Sequence, residues 1–313
     1  MAPQVQGRKI AIIGASGQLG KPMLEALLAK CVHTITVIQR PESTSIFPSK
    51  VTLKKGDLED EAFLAEVFKG QDAIVLMPPL SHIISLQKPA VRAAAKVGIR
   101  WILPSEFGPD PFASKLIEEN SLLKSKKEIR DLIDELGVSS WVSIAGGPWL
   151  DINLTLGLWG IDPKARKATI WHGANAKTST ATVAHTGEAA AAVLSLPEAD
   201  LVKYKNKAVY APSFRLSQRE ILEAVQHATG TTDADWDITT REYDDVASEY
   251  EANIQKGDGM APFVKFFVTH FVEGLGGDFD HKVNAVELKI LENIGLPIDN
   301  LNEVITAAIQ ESF

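Results

Sequence analysis

Residues 9–20 read KIAIIGASGQLG: a short apolar run, three glycines at 14, 17 and 20, then the start of a helical pattern. Gly14 permits a tight turn, Gly17 removes a side chain that would block a pyrophosphate, and Gly20 lets the helix pack close to the strand. Ala15, Ser16, Gln18 and Leu19 complete the turn. Phosphates bound there would meet the positive end of the helix, where first-turn N–H groups are unpaired. The spacing alone is weak, because glycine-rich turns occur in other α/β folds. Its flanks supply the context: 9–13 reads as a buried parallel strand, 18–30 as an amphipathic helix and 33–38 as a second strand.

The end of the second strand discriminates between dinucleotides. A carboxylate there binds the ribose hydroxyls of NAD, whereas an arginine pairs with the 2′-phosphate of NADP. The chain runs Ile38-Gln39-Arg40, with no acidic residue before Glu42. Arg40, helped by Lys50 in the following loop, therefore points to NADPH, its planar fork suiting a phosphate. A solvated surface arginine is the plainer alternative.

Further strands at 51–55, 72–77, 100–103 and 139–144 alternate with helices at 59–68, 83–96 and 116–136. This order predicts an α/β fold with a doubly wound parallel sheet, a Rossmann domain over 1–150 to which parts of 178–212 return. A smaller, mostly helical substrate-binding domain is expected over 151–313. Ligands in such sheets lie beyond the carboxyl ends of the strands. Asp57, in Gly56-Asp57-Leu58, stands at one such end, placed either to receive an adenine amino group or to cap a helix. Met77 and Pro78 end the fourth strand where the ribose should pass, and Pro78-Pro79 would stiffen that floor.

Composition narrows the class. With 313 residues, 45% of them hydrophobic, the chain can bury a full core. Its net charge of −8 argues against a nucleic-acid partner, which needs a concentrated positive field. Cys31 is the single cysteine, which excludes an intramolecular disulfide and a thiolate metal cluster within the chain. Histidines at 33, 82, 172, 185, 227, 270 and 281 have no neighbour of their kind within four residues, so no metal site is expected. MAPQVQGRK at the start lacks the apolar core of a signal peptide, and no apolar run approaches about twenty residues. A cytoplasmic chain without a membrane partner is the expectation.

Many short-chain reductases place Tyr and Lys four residues apart on a helix, so that the ammonium lowers the phenol pKa. Here the residues four positions after Tyr204, Tyr210, Tyr243 and Tyr250 are Ala208, Phe214, Ala247 and Ile254. Another group must then handle the proton. Leu103-Pro104-Ser105-Glu106-Phe107-Gly108 leads into a helix carrying Lys124, Lys126, Lys127 and Arg130. A lysine sunk against apolar walls loses its proton near neutrality.

With these residues in place, the chain resembles the isoflavone reductase-like family of atypical short-chain reductases, nearest in character to the fungal CipA-like and NmrA-like branch. The resemblance covers nearly the whole chain and rests on GASGQLG at 14–20, Arg40, Gly56-Asp57-Leu58, LPSEFG at 103–108 and Lys126 with Arg130, with a looser match at 173–177. It implies NADPH held by the glycine turn and Arg40, with Lys126 as proton donor or acceptor in a register set by Arg130. The cofactor-facing set is then Gly14, Ala15, Ser16, Gly17, Gln18, Leu19, Gly20, Arg40, Lys50, Asp57, Met77, Pro78 and Arg130. Lys124 and Lys127 would project from other faces of the helix.

Two departures stand out. Ser143-Ile144-Ala145-Gly146-Gly147-Pro148-Trp149 replaces the polar-aromatic segment of the plant enzymes, so the pocket should differ from theirs. His185 stands where the family usually carries an acid, as a pocket acid/base or a structural histidine. The expected function is an NADPH-dependent reductase acting on an aromatic or polyketide-like small molecule of secondary metabolism. The alternative is an NmrA-like redox sensor that binds the dinucleotide without chemistry. Apolar helices at 263–271 and 283–294 would cover the pocket or a second subunit, which keeps a homodimer among the expectations.

Overall fold

The computed structural model describes residues 5–312. Its first half alternates strands and helices: β1 (Lys9–Ile13), α1 (Gly20–Ala29), β2 (Thr34–Gln39), β3 (Thr52–Lys55), α2 (Glu61–Phe68), β4 (Ala73–Leu76), α3 (Gln87–Lys96) and β5 (Trp101–Leu103). Then come α4 (Ser114–Glu119), α5 (Ser121–Leu136), β6 (Ser140–Ala145), α6 (Leu150–Thr155), β7 (Ile161–Asp162), β8 (Lys167–His172) and β9 (Thr178–Thr180). The remainder is α7 (Val183–Leu194), α8 (Glu198–Leu201), β10 (Lys207–Tyr210), β11 (Phe214–Leu216), α9 (Gln218–Thr229), β12 (Asp237–Glu242), α10 (Tyr243–Gln255), α11 (Ala261–Thr269), α12 (Ala285–Asn293) and α13 (Leu301–Ser312).

Seven strands form one parallel sheet in the order β10-β6-β5-β4-β1-β2-β3. β1 and β4 are apolar along nearly their whole length because helices cover both faces of the sheet. The order in which strands are added reverses between β1 and β4, so a crevice opens beyond their carboxyl ends at Gly14 and Met77. On one face α1 lies against α7, an approach that Gly187 permits: a Cβ there would sit 2.8 Å from the Met23 backbone nitrogen. The late strand β10 (Lys207–Tyr210) rejoins the sheet beside β6.

Several elements differ from the sequence reading. The helix expected over 116–136 is broken at Asn120, whose backbone leaves the helical region (φ −126°, ψ 116°) while its amide donates to Leu116 O and Thr269 Oγ1. The third helix starts at Gln87, since prolines at 78 and 79 are followed by a 3₁₀ turn over Leu80–His82. β12 (Asp237–Glu242) was not foreseen in a region read as mostly helical; it pairs parallel to β8, and its mostly exposed, polar sequence carries little alternation. The apolar α11 and α12 send Phe266, Val268 and Leu291 into the chain's own core. Among the described residues no helix is long and apolar enough to cross a membrane.

Candidate active site

A cleft of about 620 Å³ lies beyond the carboxyl ends of the main strands. Its wall brings together Gly14 to Gly20 after β1, Arg40 after β2, Asp57 after β3, Met77 and Pro78 after β4, and Lys126 from α5. These residues span more than a hundred positions of sequence and meet because parallel strands end on one edge.

The glycines of the first turn do different work. Gly14 has φ +91°, and a Cβ there would strike the Met77 carbonyl, so this position joins β1 to β4. A Cβ on Gly20 would strike the Gly14 carbonyl, so the third glycine permits the helix to start where it does. Gly17 is different: its nearest neighbour to a Cβ is Gly14 O at 3.3 Å, with the rest of that face open. The turn is closed by Gly17 N–H donating to Gly14 O at 3.0 Å. This leaves a cradle with backbone N–H groups at the start of α1, which suits a pyrophosphate.

Where β2 ends, Arg40 is largely exposed, and its Nε lies 3.2 Å from Glu42 Oε1. Gln39, Ser43 and Phe47 line the cleft beside it, and Ser43 Oγ donates to Gln39 Oε1 at 2.8 Å. Asp57 also lines the cleft while accepting the Glu59 N–H at 2.9 Å; the side chain capping α2 is Asp60.

Lys126 is the distinctive group. Buried positions on α5 are Leu123, Lys126, Ile129, Arg130 and Ile133, a stripe of helical period that carries the lysine inward; Lys124 and Lys127 are exposed. Lys126 is 8% exposed, and burial lowers its pKa from 10.5 to about 8. Among the described residues no carboxylate pairs with it. The cleft therefore holds a lysine that can exchange its proton near neutral pH.

Two expected cofactor residues are not in the wall. Arg130, four residues after Lys126, forms a buried ion pair with Glu106, donates to Pro111 O at 2.9 Å and lies 5.6 Å from the centre of the Trp141 ring. Its guanidinium is spent on fastening α5 to the loop after β5. Lys50 sits on an exposed turn outside the cleft wall. His185 is buried in the first turn of α7, with Nδ1 3.3 Å from Asp299 Oδ2, and is also outside the wall.

Ser105, Phe107, Trp149 and His82 line the cleft; the first three lie in segments quoted from the sequence, but none of the four was given a site role there. Ser105 and Phe107 follow β5, and Trp149 follows β6. The rule that ligands gather beyond strand carboxyl ends, applied to every strand, would have found those three.

A family model described as NmrA-like matches residues 6–256. The oxidoreductase aprR of Aspergillus flavus is 29% identical over 310 residues, covering 96% of this chain and 99% of that protein. The maize isoflavone reductase homolog IRL is 28% identical over 245 residues, covering 72% and 75% respectively. Among solved structures, AtPrR2 with NADP+ and (+)pinoresinol is similar at TM-score 0.78 and 23% identity, covering 96% of this chain and 99% of that one. The leucoanthocyanidin reductase–NADPH complex from Vitis vinifera is similar at TM-score 0.71 and 19% identity, with coverage of 96% and 99%. At such identities these two structures speak to the fold. On the family match, which spans well over half of its length, the chain belongs to the NmrA-like family.

Proposed function

We propose that this protein is an NADPH-dependent reductase of an aromatic or polyketide-like small molecule, with Lys126 as its general acid/base. The observation that carries the reading is the buried Lys126, unpaired with any carboxylate among the described residues, in the same cleft as the glycine turn. The relatives named above as oxidoreductase and isoflavone reductase homolog agree with it.

The cradle fits a dinucleotide. Gly17 leaves room where a pyrophosphate must approach, and Arg40 stands where a 2′-phosphate would pair with a guanidinium. NADPH, when bound, supplies the hydride. The chain's own share is to seat the phosphates on α1, to line the reaction space with Phe107 and Trp149, and to move a proton at Lys126 Nζ. Phe107 and Trp149 present apolar, planar surface, which favours a ring-bearing substrate. Residues 1–150 with returning segments would hold the dinucleotide, and 151–313 would shape the substrate side.

A screen of NADPH oxidation against aromatic ketones, enones, quinones and benzylic ethers tests this directly. Turnover with at least one class, strictly dependent on NADPH, is expected. NADPH binding with no turnover across the screen would replace the reductase with a dinucleotide sensor.

A further inference from the structure

One amide in the cleft wall is only half used. Gln39 is the last residue of β2, lines the cleft and is 7% exposed. Its Oε1 accepts the Ser43 hydroxyl at 2.8 Å, and Ser43 Oγ in turn receives the Ser45 N–H at 3.5 Å, which frees the hydroxyl proton for the glutamine. That chain of bonds fixes which end of the amide carries the oxygen. Nε2 is then a donor only, and it is buried with no hydrogen-bond partner among the described residues. A donor left this way costs free energy until an acceptor meets it.

The backbone around this amide is pinned from several sides. Gln39 pairs with Lys55 on β3, and its carbonyl accepts the Gly56 N–H at 3.1 Å. The turn that follows is closed by Ser43 N–H donating to Arg40 O at 3.1 Å, and Lys55 Nζ donates to the Ser43 carbonyl at 2.8 Å. Gln39, Arg40 and Ser43 are thereby held together on the cleft wall at the end of β2, where the adenosine end of a dinucleotide lies in a sheet of this kind. The acceptor that suits the free N–H is an anionic oxygen. A ribose hydroxyl both donates and accepts and is served by a carboxylate, whereas a phosphate oxygen only accepts.

We propose that Gln39 is a specificity-determining residue for NADPH, its Nε2 donating to an oxygen of the adenosine 2′-phosphate, with Ser43 as the positioning residue that orients the amide. Arg40 brings the charge from the exposed side of the turn, and Gln39 adds a neutral donor from within the wall. The inference rests on NADPH being the cofactor.

Calorimetric titration of the full-length protein tests it, with NADPH, NADH, adenosine 2′,5′-bisphosphate and 5′-AMP as probes. Gln39→Met keeps the length of the side chain and removes the amide. It should weaken NADPH and the bisphosphate roughly fivefold, the loss of one neutral hydrogen bond, and leave NADH and 5′-AMP within about twofold of wild type. Gln39→Glu still accepts from Ser43 but sets a carboxylate oxygen where the donor was, so it should weaken the two 2′-phosphate probes more than Gln39→Met does. Ser43→Ala, on the half-buried turn outside β2, should show a smaller loss of the same kind. Equal losses for NADPH and NADH in Gln39→Met, or unchanged affinities in both Gln39 variants, would overturn the inference and leave the amide a packing residue. Equal affinity of the wild type for NADPH and NADH would instead refute the cofactor reading itself, so the two failures are distinguishable.

Discussion

Arg130 turns its guanidinium onto Glu106 in a buried ion pair and away from the cleft, one helical turn beyond Lys126. The pair joins α5, which carries the lysine, to the loop after β5, which carries Ser105 and Phe107 into the same cleft. A charge buried at this depth is tolerable because its partner is present; the guanidinium also stacks on Trp141 and reaches Pro111 O.

Arg130→Met should therefore act on stability. It leaves Glu106 buried without a partner, a loss of about 3–5 kcal/mol in urea unfolding, whereas Glu106→Leu/Arg130→Met together should recover much of it. If Arg130→Met kept its stability but lost NADPH affinity, Arg130 would return to the cofactor site.

The glycine turn separates binding from folding. Gly17→Val should fold, since only Gly14 O lies near its Cβ at 3.3 Å, while the added side chain occupies the open cradle and removes NADPH binding. Gly20→Val should fail to fold or lose several kcal/mol, because its Cβ meets the Gly14 carbonyl. Circular dichroism with NADPH titration by fluorescence distinguishes the two; tight NADPH binding by folded Gly17→Val would place the nucleotide elsewhere.

Arg40 should set the preference for NADPH over NADH. Arg40→Ala should cost about 2 kcal/mol of NADPH binding, roughly thirtyfold in Kd, and leave NADH nearly unchanged. Glu42 holds the same guanidinium through an exposed pair, so Glu42→Gln should improve NADPH binding by less than about 1 kcal/mol. Equal affinity of the wild type for both nucleotides would end this assignment.

Lys126 also predicts a pH signature. Its folded pKa, about 8, lies below the ordinary 10.5, so between those values the unfolded chain holds a proton that the folded chain does not. The sign follows: stability of the wild type relative to Lys126→Met should rise as pH increases from 8 towards 10.5, the deficit being fully present below 8. Chemical unfolding at pH 7 and pH 10 measures it; a difference that stays constant would mean a lysine that titrates normally.

How much of this was legible depends on which residues act locally. The strand β1, the glycine turn and the parallel order follow from short-range patterns: unbroken apolar runs, glycines at points of close approach, and alternation with helices. Lys126 was picked out by the resemblance and the register of Arg130; that it is buried follows from the stripe through Leu123, Ile129 and Ile133, which the structure shows carrying it inward. The pairing of Arg130 was not legible because its partner, Glu106, lies 24 residues away, and sequence does not show which of two buried destinations a guanidinium takes. The break at Asn120 was not legible because its side chain answers to Thr269, 149 residues downstream, a contact that only the assembled fold creates. β12 stayed hidden because a polar edge strand carries no apolar period to read.

The most direct test is single-turnover reduction by Lys126→Met, with NADPH binding measured on the same preparation. The account predicts nearly unchanged NADPH affinity and a rate lower by roughly a hundredfold or more, while exposed Lys124→Met and Lys127→Met remain close to wild type. A Lys126→Met protein that binds NADPH and turns over at the wild-type rate would contradict it.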